Sequence, residues 1–309
     1  MIKVAGTLAL ILTVISCISS PNNAMREASA SPVPDIEGLA QWLGDESQFF
    51  IQMADTQLGM YSYSLPMLLL RATYKDDQFE KDALLFESAI RHANNLRPAF
   101  VIVCGDLVNP VGHAGQIAEW NRIASLLDPS IPLHAVAGNH DVGNEPTAET
   151  LLAYRKVFGP DRYSFQEGGI HAIVLNSQLI DAPESVPEEA KKQLSWVRGE
   201  LDRARAAGAE HIVVFQHQPL FLESPDEDDE YFNIERSART TYLELFKEAG
   251  VEAVFAGHLH KNALGRNGEM QMLTTGPVGR PLGDDPSGFR VIAVSEGSLR
   301  YEYFSLANR

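Results

Sequence analysis

The feature that most constrains the fold of this chain is an alternation of short apolar runs with longer amphipathic stretches, which starts at Phe49. This alternation is typical of an α/β protein, in which strands and helices follow one another along the chain. Each apolar run ends at a Gly, Asn, Asp or His. Six strands are therefore predicted, over Phe49–Ala54, Phe100–Cys104, Leu133–Val136, Ala172–Leu175, Ile212–Phe215 and Ala253–Ala256.

The remaining segments predict helices and further strands. Apolar residues recur at helical spacing within 83–93, and again within 187–208, a segment that begins with proline and ends with glycine. Met270–Thr274 and Phe289–Leu306 alternate β-branched, aromatic and polar residues, which predicts a terminal antiparallel sheet. Since no internal repeat or low-complexity linker divides this part of the sequence, we expect one domain over residues 48–309.

Residues that can bind metals or transfer protons follow five of the predicted strands. A single Gly-Asp pair or a lone His is usually a turn or a satisfied side chain, but chance rarely places five such groups at strand ends. Open α/β sheets carry their chemistry at these ends. The five groups are Asp55-Thr56-Gln57, Gly105-Asp106, Gly138-Asn139-His140-Asp141, Gln216-His217 and Gly257-His258-Leu259-His260.

The donor atoms in these groups predict a centre for two divalent ions. They combine carboxylate, amide and imidazole donors without a thiolate, a mixture that suits Mn, Fe or Zn better than Ca or Mg alone. A carboxylate just past a strand could bridge both ions. Two cations roughly 3.5–4 Å apart would hold a phosphoryl group and lower the pKa of a bridging water, which provides hydroxide for in-line attack.

The order of these groups, from Phe49 to His260, resembles the signature of the calcineurin-like metallophosphoesterases, which runs D-x-H, G-D, G-N-H-D/E, H and G-H-x-H. Within that superfamily the chain is most similar to the CPPED-type group, the calcineurin-like phosphoesterase domain containing proteins. The resemblance implies a four-layer α/β/β/α sandwich of two mixed β-sheets flanked by helices. The strings that carry the closer resemblance are Ile51–Gln57, Gly138–Asn144, Leu175–Gln178 and Phe221–Asp229.

The family motif also implies a role for each matching residue. His140 would face the leaving group as general acid or hydrogen-bond donor, oriented by Asp141. Substrate contacts are expected from Asn139, His140 and Arg280. Gln57 stands where the family usually has His. The CPPED-type group also has Gln at this position, and the change implies a weaker first metal site. The two metal sites would be formed by Asp55, Asp106 and His260, with Gln57 beside them, and by Asp106, Asn139, His217 and His258.

The expected activity is hydrolysis of phosphate monoesters by a metal-bridged hydroxide, and the resemblance implies phosphoprotein Ser/Thr phosphatase activity. A small phosphomonoester is an equally open substrate. The alternatives are a phosphodiesterase or nucleotidase on the same scaffold, and a non-catalytic surface-binding protein with a weakened metal site. The partner would be a phosphorylated substrate bound by a monomer. The chain carries 25 Lys and Arg against 41 Asp and Glu, a net charge of −16, which argues against a nucleic-acid partner.

The N-terminus predicts export. Lys3 precedes an apolar stretch of signal-peptide length, and Val14-Ile15-Ser16-Cys17 resembles a bacterial lipobox. Residues 1–16 would be a signal peptide, Cys17 a lipidated first residue, and 17–47 a tether to a periplasmic or cell-surface domain. A plain secretory signal is the alternative. The membrane would be contacted only through this anchor.

Four further features of the sequence are either left open or expected to be structural. Cys104 lies in an apolar run and is expected to be buried and inert. The segment Glu223–Glu230 holds six acidic residues in eight, and is either a solvated surface loop or a rim of the site. Asn176 and Gln178 either contact substrate or finish a strand. The histidines outside the motif are expected to be structural or solvent-facing.

Overall fold

The computed structural model describes residues 31–44, 48–62 and 79–306. A short 3₁₀ turn lies at Met60–Ser62. The helices are α1 Ile36–Leu43, α2 Glu80–Leu96, α3 Ala114–Ala124, α4 Asn139–Val142, α5 Ala148–Phe158, α6 Gln178–Asp181, α7 Pro187–Ala206 and α8 Arg236–Ala249. The strands are β1 Ser31–Pro32, β2 Gln48–Met53, β3 Val101–Val103, β4 Leu133–Ala135, β5 Tyr163–Glu167, β6 Ile170–Val174, β7 His211–Phe215, β8 Ala253–Ala256, β9 Ala263–Asn267, β10 Met270–Thr274, β11 Gly288–Ser295 and β12 Ser298–Ser305.

The strands form two mixed sheets. The first sheet has the order β1-β12-β11-β2-β3-β4, and the second has the order β5-β6-β7-β8-β10-β9. Strands β2, β3 and β4 are parallel, and so are β6, β7, β8 and β10. Because parallel strands end at the same edge, the loops that follow them are gathered at one edge of each sheet.

The core is layered, because strands with apolar residues on both faces must be covered on both sides. Between the sheets, four phenylalanines pack together, with Phe50 stacked on Phe100 at 4.7 Å between ring centroids. Helices α2 and α3 contribute buried apolar residues to the outer core of the first sheet, and α7 and α8 do so for the second. The predicted four-layer α/β/β/α sandwich is confirmed. The four phenylalanines are Phe50, Phe100, Phe215 and Phe255.

The prediction of a terminal antiparallel sheet is wrong in its pairing. Met270–Thr274 is β10, which pairs in the second sheet with β8 in parallel and with β9 in antiparallel. The hairpin formed by β11 and β12 belongs to the first sheet, where β11 pairs with β2. Alternating polarity predicts a strand but not its partner, which tertiary packing selects.

Residues 31–44 lie on the domain, although the sequence analysis placed them in the tether. Strand β1 pairs in parallel with β12, and Leu39 of α1 is buried in the core of the first sheet. The helix begins at Asp35, whose side chain accepts a hydrogen bond from the Gly38 amide at 2.8 Å. The sequence analysis did not predict this short capped helix, because the segment before it is rich in Ser and Pro, as linkers are. The predicted tether bounds of 17–47 therefore extend too far, since residues within 31–44 pack on the domain.

The signal peptide and Cys17 lie outside the described residues. Across 31–44, 48–62 and 79–306, no helix has both the length and the apolar character needed to cross a bilayer. Cys104 is fully buried, as predicted, and burial raises the pKa of its thiol well above the usual range.

Candidate metal centre

The structure brings the predicted ligand residues together at the carboxyl ends of parallel strands in both sheets. Asp55 and Gln57 follow β2, Asp106 follows β3, His217 follows β7, and Asn139 opens α4 after β4. His258 and His260 follow β8. All seven side chains are buried, none with more than 5% of its surface exposed.

Two groups of potential ligands share one carboxylate. Asp106, His217 and His258 form one group, and Asp55, Asp106 and His260 form the other. Within each group the donor atoms lie within 4.8 Å of one another. Nε2 of His217 lies 3.3 Å from Oδ1 of Asp106. The arrangement therefore offers two adjoining groups of donors, each of which could hold a cation, with Asp106 shared between them.

The backbone at this centre is held in a rarely adopted conformation. Among the described residues, six non-glycine residues have positive φ angles, and five of them belong to the predicted ligand set. Such φ angles persist only where the surroundings impose them, and they cluster at functional sites. The five residues are Asp55 at 49°, Gln57 at 34°, Asp106 at 52°, His258 at 69° and His260 at 56°.

The glycines of the motif leave room for the ligands. A Cβ atom at Gly138 would lie 2.2 Å from the backbone nitrogen of Asp106, and one at Gly105 would lie 2.5 Å from Nδ1 of His217. Gly105 also has a φ angle of +79°. Only glycine allows so close an approach, which explains why it precedes the Asp and Asn ligands in the sequence.

Each of the three buried imidazoles has one nitrogen bonded to a backbone carbonyl. His217 donates from Nδ1 to the Cys104 carbonyl at 2.9 Å, and His260 donates from Nδ1 to the Arg280 carbonyl at 2.6 Å. His258 donates from Nε2 to the Tyr231 carbonyl at 3.1 Å. In the neutral form of each ring, the remaining nitrogen is thereby left to accept, as metal-bound histidines require.

Two side-chain amides complete the donor set. Oε1 of Gln57 is buried and has no hydrogen-bond partner among the described residues, which is costly unless a ligand takes it up. Oδ1 of Asn139 lies 2.9 Å from Nε2 of His217, at the group that also holds His258. Carboxylate, amide and neutral imidazole donors fit divalent ions, so the residues present are suited to hold them.

Burial and mutual charge shape the protonation of the centre. Burial raises the pKa of Asp55 well above its usual range, and the charge of His217 opposes this only in part. Burial also opposes ionisation of Asp106, but the positive charges of His217 and His140 outweigh it, and the pKa of Asp106 is lowered. Burial lowers the pKa of His258 to about 3 and that of His260 to about 4. These two imidazoles are therefore neutral, the form that binds metals.

Among the described residues, no hydrogen bond joins Asp141 to the His140 ring, the contact that the sequence predicted. Its Oδ1 accepts from the amides of Leu107 at 2.9 Å and Val108 at 3.3 Å, and its Oδ2 accepts from the Gly138 amide at 2.8 Å. Both oxygens are thus used by backbone N–H groups, so Asp141 ties the start of α4 to the loop after β3. Burial and the charge of Asp106 raise the pKa of Asp141 to about 8.

His140 and Arg280 lie next to the ligand groups. The His140 amide donates to Oδ1 of Asp106 at 2.8 Å, and the His140 side chain is partly exposed. The Arg280 guanidinium lies 3.4 Å from the Met60 carbonyl, while its own carbonyl binds His260. The backbones of both residues are therefore bonded to predicted ligands, while the Arg280 guanidinium lies at the 3₁₀ turn that holds Met60.

The residues left open by the sequence are largely structural. Asn176 is buried and donates from Nδ2 to Asp161 at 3.0 Å, so it finishes a strand. Outside the motif, His171 bonds Glu200, and His211 bonds Glu252. The acidic segment is ordered by its own contacts, since Glu227 accepts three consecutive backbone amides.

Tyr231, at the end of that acidic segment, is the residue that sequence reasoning missed. Its ring centroid lies 5.1 Å from that of His258, and its hydroxyl lies 3.5 Å from Nδ2 of Asn139. Burial and the charge of Asp106 raise the pKa of Tyr231 to about 12. The residue follows no strand, and its only sequence signal is an aromatic pair beside the run of acidic residues.

Comparison with known proteins gives the same reading of the domain. Residues 50–262 match the family model described as calcineurin-like phosphoesterase. The chain is 39% identical over 267 residues to the serine/threonine-protein phosphatase CPPED1 of Danio rerio, covering 84% of each chain. It is 40% identical over 237 residues to the Homo sapiens protein of that name, covering 74% of this chain and 76% of the human one.

Solved structures show the same fold. A dimetal phosphatase from Danio rerio has a TM-score of 0.62 at 16% identity, covering 85% of this chain and 98% of its own. The purple acid phosphatase PPD1 of yellow lupin has a TM-score of 0.58 at 14% identity, covering 90% of this chain and 53% of its own. With the family model matching more than half of its length, this chain belongs to the calcineurin-like phosphoesterase family.

Proposed function

We propose that the protein is a metal-dependent hydrolase of phosphate monoesters that uses two divalent ions, with Mn, Fe or Zn as the fitting metals. The observation that carries the proposal is the sharing of Asp106 between two groups of buried ligands. A shared carboxylate keeps two cations close together and offsets their mutual repulsion. When bound, the ions would supply Lewis acidity at the phosphoryl group and a water of lowered pKa.

The side chains of this chain would divide the remaining work. Asn139 would bind one ion through Oδ1, and Gln57 would offer Oε1 to the other. The backbone amide of His140 donates a hydrogen bond to Asp106, which holds the residue beside the ligand groups. From this position the His140 ring would donate a hydrogen bond to the leaving-group oxygen. The Arg280 guanidinium would bind a phosphoryl oxygen, which a planar, permanently charged donor does well.

The proposed substrates are phosphoserine and phosphothreonine residues or small phosphomonoesters. Support for the first class comes from the CPPED1 relatives, which carry the name serine/threonine-protein phosphatase. Support for monoesters in general comes from His140 and Arg280, whose backbone groups bond the side chains of Asp106 and His260. A monoester has terminal oxygens that the guanidinium could bind and one leaving group that the imidazole could reach.

A two-substrate assay with a point variant tests the proposal. With Mn²⁺ added, p-nitrophenyl phosphate should be hydrolysed more efficiently than bis(p-nitrophenyl) phosphate. His140→Ala should lower kcat by about 10²–10⁴-fold, the usual contribution of a general acid, and leave the metal content unchanged. The control is His92→Ala, since His92 lies on α2, where it packs against Phe289 of β11, and belongs to neither ligand group. A preference for the bis ester would contradict monoester hydrolysis, and an unaffected His140→Ala variant would contradict the assigned role.

A further inference from the structure

Tyr231 lies over the ligand group that contains His217 and His258. Its backbone carbonyl accepts hydrogen bonds from Nε2 of His258 at 3.1 Å and from Nε2 of Gln218 at 3.5 Å. The neighbouring ring of Phe232 packs against His258 with 5.6 Å between centroids. The backbone of Tyr231 is therefore anchored to the ligand loop after β8 and to the residue that follows His217.

The segment before Tyr231 holds this position firmly. Glu227 accepts the amides of Leu222, Glu223 and Ser224 at 2.6 to 3.1 Å, and closes the acidic loop on itself. Arg239 is fully buried and donates from Nε to the Pro225 carbonyl at 3.0 Å. A loop secured in this way can present a side chain at a fixed position, which a binding group requires.

The bonding of the Tyr231 hydroxyl leaves its proton available. The oxygen lies 3.5 Å from Nδ2 of Asn139, from which it accepts a hydrogen bond. An amide N–H group can only donate, so this contact uses a lone pair of the phenol oxygen and not its proton. Among the described residues, this hydroxyl donates no hydrogen bond to an acceptor. Tyr231 is partly exposed, so a ligand at the centre can reach it.

We propose that the Tyr231 hydroxyl donates a hydrogen bond to a phosphoryl oxygen of the substrate and is thereby a substrate-binding residue of the site. This inference rests on the proposed phosphoester hydrolysis. The amide of Asn139 links the two functions, since its Oδ1 faces the ligand group while its Nδ2 fixes the hydroxyl. A donor held beside a cation centre strengthens as negative charge develops on the phosphoryl oxygens, so it favours the transition state.

The test compares Tyr231→Phe with the wild-type full-length chain, both loaded with Mn²⁺. Tyr242→Phe is the matched control, because Tyr242 is buried on α8 in the outer core of the second sheet and belongs to neither ligand group. Three quantities are measured: metal content, kcat/KM for p-nitrophenyl phosphate, and the Kd of inorganic phosphate by calorimetry. The Kd is an equilibrium readout that does not depend on turnover.

Tyr231→Phe should keep the wild-type metal content, lose about ten- to a hundredfold in kcat/KM, and bind phosphate about tenfold more weakly, as expected for a lost bond to a charged acceptor. Tyr242→Phe should match the wild type in all three. Unchanged phosphate binding in Tyr231→Phe would overturn the inference, and so would a fall in metal content, since the residue would then support the ligands. If the wild type binds phosphate but hydrolyses nothing, the proposed function fails while the Kd comparison still decides the role of Tyr231.

Discussion

Asp106 is the residue on which the centre depends. Its carboxylate belongs to both ligand groups and accepts the His140 amide at 2.8 Å, and its own φ angle is 52°. The same side chain thus joins the two cation positions and places the proposed proton donor. Two glycines are needed to form this geometry. Gly105 precedes Asp106 in the sequence, and Gly138 lies against the Asp106 backbone.

Gln57 is expected to strengthen one of the two metal positions. Its Oε1 is buried without a partner among the described residues, so removing it costs the folded chain no hydrogen bond. Gln57→Ala should therefore raise the Kd of one site for Mn²⁺ by about tenfold, as the loss of a supporting group at a metal site typically does. The Kd of the other site should not change. Calorimetric titration of the metal-free protein measures both sites.

The control for this variant is Gln166→Ala, because Gln166 lies exposed on β5. Equal metal affinities in Gln57→Ala and the wild type would show that Gln57 is not a ligand. A loss at both sites, with a lower melting temperature, would show a structural role instead.

At the residue scale, the sequence predicted which side chains lie together at the centre, because residue types that can bind metals recur at the ends of its strands. Asp55, Asp106 and the three histidines combine side chains that rarely occur together unless they bind metal. The role of Asp141 was mispredicted, because a carboxylate beside a histidine in sequence gives no sign that backbone amides will use both of its oxygens. Tyr231 was missed because it lies in a loop, where no periodicity marks it.

At the scale of elements, α2 is tied to the loop that carries Gln57. Asp82, near the start of this helix, is buried and its Oδ2 accepts the amides of Gly59 at 2.8 Å and Tyr61 at 3.4 Å. Burial raises the pKa of Asp82 from 3.8 to about 6, and the two backbone bonds lower it only in part. The carboxyl group is therefore more easily protonated in the folded chain than in the unfolded one.

This shift predicts a pH dependence of stability. Because the folded pKa is above the unfolded one, the contribution of Asp82 is fully present below about pH 4 and is lost as the pH rises through about 6. Asp82→Asn keeps an acceptor without the charge, so relative to the variant the wild type should lose about 2 kcal/mol between pH 4 and pH 7. Urea unfolding of both proteins at several pH values measures this difference.

Asp202→Asn is the control, since Asp202 is exposed on α7. A constant stability difference between Asp82→Asn and the wild type across this pH range would contradict the shifted ionisation of Asp82.

The elements themselves were predicted unevenly. Apolar runs located the central strands to within about two residues, because a strand buried on both faces has a continuous apolar sequence. The pairing of β10 apart from β11 and β12 could not be predicted, since all three alternate in the same way and the choice of sheet depends on distant neighbours. Helix α1 was hidden in a segment whose composition is that of a linker.

At the scale of the whole molecule, we propose that the chain is exported and anchored by a lipid on Cys17. Support comes from the apolar stretch after Lys3 and from the lipobox-like Val14–Cys17, both in the sequence alone. The described residues start at Ser31, where β1 joins the first sheet, which leaves a tether of ~14 residues between anchor and domain.

The lipid proposal predicts that Cys17→Ala moves the protein from the membrane fraction to the soluble one when expressed in a bacterium with lipoprotein processing. Radiolabelled palmitate should enter the wild type and not the variant. Label in Cys17→Ala, or a wild type found only in the soluble fraction, would contradict an anchor at this residue. Cys104→Ala serves as control, because its buried thiol is not expected to accept a lipid.

The charge of the whole chain bears on its partners. A net charge of −16 repels polyanions, so we propose that the protein does not bind nucleic acid. We further propose that it is a monomer that binds phosphorylated substrates. Small phosphates would still be attracted, because the field of the proposed cations and of Arg280 would act locally, while distant surface charges are screened.

The most direct test of the account is the metal stoichiometry of the purified protein, measured by elemental analysis after incubation with Mn²⁺ or Fe²⁺ and removal of excess ions. The shared carboxylate of Asp106 predicts a value that approaches two ions per chain, together with phosphatase activity that a chelator abolishes and added metal restores. A value at or below one ion per chain, with no phosphatase activity, would contradict the two-metal centre.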